Sequence, residues 1–87
     1  TETGLHLEVY RRHRGVGAVV HAHPPGVQAL AARGRMPRCD LLAEGRELLG
    51  RVAWVGVAEP GSAELARATA DALDPAPVCV LEAHGAV

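Results

Sequence analysis

Three histidines and one glutamate carry the chemistry that the residue types of this chain allow. His21-Ala22-His23 sets two imidazoles two residues apart. On an extended backbone that period points both rings to one face, their backbones roughly 6.6 Å apart, so both can lean onto one ion. Zinc takes neutral imidazole at ~2.0–2.1 Å, and a catalytic zinc typically keeps about three protein ligands and one open position. A third ligand is therefore required. His84, followed by Gly85 at the exit of another apolar run, is the best candidate. Two half-exposed histidines at a strand end would show the same spacing and bind nothing, and on spacing alone the two readings weigh about the same. Glu2 opens a segment with helical spacing ahead of the first histidine pair. A carboxylate beside a metal-bound substrate can move a proton between carbon and oxygen. The plain alternative is a solvated acid near a chain end.

Composition removes other chemistries. All nine basic residues are arginine, so within these 87 residues neither a lysine Schiff base nor a phosphate-loop lysine is available. The net charge is −1, and only Arg11, Arg12 and Arg14 cluster, around His13, which leaves no basic stripe for nucleic acid. Apolar runs are broken within a few residues, so neither a membrane span nor a secretory segment is expected. Cys39 and Cys79 have no paired spacing, which favours reduced thiols and a cytoplasmic location. A closed structural zinc site would need a fourth ligand from one of them. Ser62, the sole serine, follows Pro60-Gly61 and reads as a helix cap, with no nucleophile elbow around it. Gly15 and Gly17 lack the strand-turn-helix setting of a dinucleotide loop. His6 is expected to pack or hydrogen-bond, His13 to be solvated, and Trp54 to sit in the core.

The elements that must position these residues follow from periodicity and punctuation. Leu5, Val9 and Tyr10 give residues 3–12 helical spacing, and residues 18–23 form a valine-rich extended run read as a strand. Pro24-Pro25 ends that run and can start a helix reaching Ala32, closed by Gly34. A loop follows to Cys39, and Asp40 is expected to cap a short helical turn carrying Leu41, Leu42 and Leu48. Residues 52–57 read as a second strand, Glu59-Pro60-Gly61 as a turn, and 63–73 as a helix capped by Ser62. Residues 78–81 read as a third strand delivering His84-Gly85. This alternation predicts an α/β fold, a central β-sheet flanked by helices. The chain begins with Thr1 and ends at Val87 just after an apolar run, so residues 1–87 are expected to be part of a single domain with flanking segments missing.

The pattern resembles the class II aldolase/adducin family. The likeness spans nearly the whole chain: Thr1-Glu2 with Leu5-His6 and Tyr10, Gly17-Ala18-Val19-Val20-His21-Ala22-His23-Pro24, Ala29-Leu30, Pro60-Gly61-Ser62 with Glu64-Leu65-Ala66, and His84-Gly85. The resemblance implies a three-layer architecture, of which this chain is a part. It further implies that His21, His23 and His84 hold a divalent metal, usually zinc, and that Glu2 is the catalytic acid/base. It implies a lyase that reversibly cleaves a C–C bond of a ketose phosphate through a metal-bound enediolate. Thr1 matches the last of the family's phosphate-binding positions. The partners implied are a small-molecule sugar phosphate and copies of the same chain, commonly in a homotetramer. Glu rather than Asp at position 2 leans toward aldolases over ribulose-phosphate 4-epimerases. Dehydratases and decarboxylases share the Glu, and adducin-like interaction modules keep the fold without the metal site. Ala83 departs from the polar residue that many members carry before this histidine.

Overall fold

The computed structural model describes residues 2–87. Its elements are α1 (Thr3–Arg12), α2 (Pro25–Ala31), α3 (Ala43–Leu48), β1 (Val52–Val55), α4 (Ala63–Ala72), β2 (Val78–Leu81) and β3 (Gly85–Ala86). The strands form one sheet in the order β1-β2-β3. β1 and β2 run parallel, with Val52 opposite Val78 and Val55 opposite Leu81, and β3 lies antiparallel to β2. The mixed sheet follows from the connections. A parallel pair needs a long crossover, which α4 supplies, whereas the Leu81–Gly85 turn is short enough only for an antiparallel return.

α4 forms where the sequence places it because Ser62 caps it, its Oγ accepting the Leu65 N–H at 3.1 Å. Its buried face is Leu65, Ala66, Thr69 and Ala70, residues separated by one and four positions, as one helical stripe requires. Thr69 is the one polar residue there, and its hydroxyl donates to the Leu65 carbonyl at 2.7 Å, so burial leaves it satisfied. α1 lays Leu5 and Val9 on this stripe, and the small Ala66 and Ala70 let the two helices approach closely. With Val55, Cys79 and Leu81 these residues make the core. At the far end of α1, Arg12 pairs with Asp71 of α4. Beside that pair His13 Nε2 lies 2.7 Å from the Ala70 carbonyl and donates to it. His13 is therefore a helix-to-helix tie rather than a solvated ring. Val80 is buried like its neighbours Cys79 and Leu81, so β2 is covered on both faces.

Several expectations change. Residues 18–23 form no strand: they are extended but pair only through Ala22 and Ala86, because β3 offers a partner of just two residues. Asp40 caps no helix; both its oxygens accept from Arg38 at 2.9 and 3.0 Å, and α3 begins from Leu42 instead. Leu41, Leu42 and Leu48 stay exposed, and Trp54 is only partly buried. The second strand stops at Val55, two residues early.

Candidate metal centre

His21, His23 and His84 come together at the end of the sheet. Each offers one ring nitrogen, and these three atoms lie within 4.8 Å of one another. The ring centroids are 4.8 Å apart for His21 and His23, and 5.0 Å for each of them to His84. Among the described residues neither cysteine belongs to the group. Cys79 is buried in the core between the helices and the sheet, so the four-ligand shell that would have drawn on it does not form.

Main-chain groups set the geometry. The Ala22–Ala86 bridge, with N–H···O distances of 3.0 and 2.9 Å, fixes the backbone between the first two histidines. The Ala86 carbonyl also lies 2.9 Å from His21 Nδ1. A carbonyl oxygen only accepts, so Nδ1 carries the proton and His21 Nε2 presents its lone pair. That nitrogen faces His23 Nε2 at 3.1 Å. Two ligand nitrogens on a tetrahedral ion would stand about 3.3–3.4 Å apart. The donor set therefore fits a divalent metal that accepts imidazole, and the carbonyl behind His21 is the kind of outer partner that orients such ligands.

His84 arrives on a tight turn. Its N–H bonds to the Leu81 carbonyl at 3.0 Å, and Ala83 before it has φ 57°, a left-handed conformation that costs a residue with a side chain about 1–2 kcal/mol. Strain of this sort gathers where a site over-determines the backbone. Gln28 of α2 reaches across and donates Nε2–H to the His84 carbonyl at 2.8 Å. After it, Gly85 is required by close approach: a Cβ there would meet the Ala22 carbonyl oxygen and stand 2.7 Å from His23 Cδ2. Sequence reasoning missed Gln28, the one side-chain amide of the chain, because nothing local to α2 shows that it reaches a turn so distant in sequence.

Glu2 precedes α1 and lies against His84, its Oε1 3.8 Å from His84 Nε2. That is proximity without a hydrogen bond. Burial pushes the His84 imidazolium toward losing its proton; Glu2 opposes this, and His21 and His23 add to it. The neutral ring that results is the form a metal binds. Two buried atoms in this corner, Glu2 Oε2 and His84 Nδ1, have no hydrogen-bond partner among the described residues. Buried polar atoms are ordinarily satisfied, so this corner is shaped for something polar to enter. Thr1, expected to touch phosphate, lies outside the described residues.

Over residues 1–87 the chain matches the family described as Class II Aldolase and Adducin N-terminal domain, and it belongs to that family. It is similar to a methylthioribulose-1-phosphate dehydratase of Stenotrophomonas maltophilia, 46% identical over 48 residues that make up 55% of this chain and 22% of that protein. It is also similar to an L-fuculose phosphate aldolase of Methanocaldococcus jannaschii, 32% identical over 88 aligned positions covering 100% of this chain and 46% of that protein. The chain thus spans less than half the length of the relatives it matches. Among the described residues no helix is long and apolar enough to cross a membrane.

Proposed function

We propose that the protein to which these residues belong is a metal-dependent lyase that reversibly cleaves a C–C bond of a ketose phosphate, as class II aldolases do. The observation that carries this reading is the convergence of three imidazoles within 4.8 Å beside a partly buried carboxylate. His21, His23 and His84 would hold one divalent ion, and neutral imidazoles favour zinc among the common ones. When bound, such an ion supplies Lewis acidity, drawing electrons from substrate oxygen so that a neighbouring carbon can bear negative charge. The chain's own residues do the rest. Ala86 keeps the His21 lone pair aimed inward, and Gln28 holds the turn that presents His84. Glu2, with one oxygen unpartnered among the described residues, moves the proton between carbon and oxygen. Thr1 is assigned to the substrate phosphate. By the same family reading the working enzyme is a homotetramer whose sheet is covered by helices in three layers. It acts in the cytoplasm, a place compatible with the free thiols of Cys39 and Cys79.

The decisive experiment replaces Glu2 with Gln in the complete protein. Turnover should fall at least ~100-fold, the usual share of a positioned acid/base, while elemental analysis finds the metal content unchanged. Unaltered turnover removes Glu2 from its role, and an ion that never binds removes the centre itself. The 46% local identity to a dehydratase favours a second reading, elimination of water from the same class of substrate. Product analysis separates the two: two carbon fragments indicate aldol cleavage, and one product lighter by water indicates dehydration.

A further inference from the structure

The backbone that carries His21 and His23 is held on its downstream side by regular structure. Ala22 exchanges two hydrogen bonds with Ala86, and Pro24 leads into α2, its carbonyl accepting the Gln28 N–H at 2.9 Å. Upstream there is far less. After the turn in which the Val16 N–H bonds to the His13 carbonyl, the main chain from Gly17 to His21 makes one hydrogen bond among the described residues, and its partner is a side chain. The Val19 N–H donates to the Tyr10 hydroxyl at 3.0 Å. An amide N–H only donates, so the phenol oxygen accepts, and its own proton stays free for the solvent to which Tyr10 is 40% exposed.

That hydroxyl stands on a fixed post. Tyr10 occupies the last turn of α1, where Arg12 pairs with Asp71 and His13 donates to the Ala70 carbonyl. Its neighbour Val9 is buried in the core, so the ring rises from backbone that packing and two ties keep in place. Val19 also packs against the core, but apolar contact is non-directional and sets depth rather than rotation. The hydrogen bond sets the rotation. In an extended chain residues two apart face the same way, so a turn of the backbone at Val19 about its own axis carries the His21 and His23 rings with it.

We propose that Tyr10 is a positioning residue for the histidine pair: its hydroxyl fixes the backbone ahead of His21 and so pre-sets the direction of both rings. Without it, the loose span that ends at the Ala22 bridge begins at Val16 instead of Val19 and is twice as long. Doubling a flexible loop disfavours its closed form about 3-fold. The inference rests on the metal reading above only where an ion is named; the hydrogen bond and its effect on the bridge belong to the metal-free chain.

Hydrogen exchange and a zinc chase on the full-length protein and its Tyr10→Phe variant test it, Phe keeping the ring while removing the acceptor. In the variant the Val19 amide should exchange at least about 10-fold faster and the Ala22 amide about 3-fold faster, with Ala70 of α4 unchanged. Zinc should leave the variant about 3-fold faster under excess chelator, because release of His21 and His23 passes through the same opened bridge; a residue serving stability alone leaves that rate unmoved. An unchanged Ala22 rate overturns the proposal, as does an unchanged release rate in a protein that binds zinc. Equal acceleration at Ala70 also overturns it, by making Tyr10 a residue of the general fold. A parent protein that takes up no zinc refutes the metal centre instead, and the Ala22 rate then decides this inference alone.

Discussion

At the scale of single residues, the smallest side chain has the most demanding place. Gly85 packs its bare Cα against the Ala22 carbonyl and the His23 ring, so Gly85→Ala must move one or the other. Forcing a methyl into such a contact costs about 1–3 kcal/mol. Denaturant unfolding of the variant should show a loss of that order, with weakened metal uptake because His23 is the ring displaced. Cys79 makes a different prediction. Burial pushes its thiol up to about 11, only partly countered by its hydrogen bond with Val87. The thiolate is the reactive form, so at pH 8 an alkylating reagent should label the half-buried Cys39 and spare Cys79 until the protein unfolds. The folded state holds the Cys79 proton more firmly than the unfolded chain, whose ordinary value is 9.0. Its contribution to stability is therefore complete below pH 9 and declines as pH rises toward 11. Equal labelling of both thiols in the native protein would contradict the burial of β2.

At the scale of elements, α4 depends on one cap. Ser62→Ala removes the acceptor for the Leu65 N–H and should cost about 1 kcal/mol, read as a lower denaturant midpoint with an unchanged slope. A larger loss would mean that Ser62 does more than cap. α1, α4 and β2 were legible in the sequence because each carries its own punctuation and periodicity, and these local signals agree with the packing. Residues 18–23 have a strand's composition without a strand's ladder, since pairing is decided by a neighbour that composition does not specify. β3 is two residues of Gly and Ala, too short and too bland to announce itself. Asp40 looked like a cap because an acid before a leucine-rich run is a cap's signature, but Arg38 two residues earlier takes both its oxygens. In the candidate site, the spacing of His21 and His23 showed that both could face one way. The meeting with His84 needs the Leu81–Gly85 turn, and the support from Gln28 and the Ala86 carbonyl comes from groups distant in sequence.

At the scale of the whole molecule, the acid and the imidazoles are held by different assemblies. The histidines hang from the end of the sheet, from its single bridge and from α2, whereas Glu2 stands at the head of α1, which rests on α4. A ten-residue helix is about 15 Å long and behaves as a rod. Arg12 and His13 pin its far end to Asp71 and Ala70, while Gly4 and Glu8 face Ala66 across the groove between the two helices. If Glu2 and the histidines act as proposed above, enlarging Ala66 to Leu should prise that rod outward, leaving metal uptake intact while kcat falls as the two are no longer aligned. Loss of metal together with kcat would show the two assemblies to be one. The carboxylate is thus aimed like a rifle from its stock: the contacts that decide where it points lie at the opposite end of the barrel.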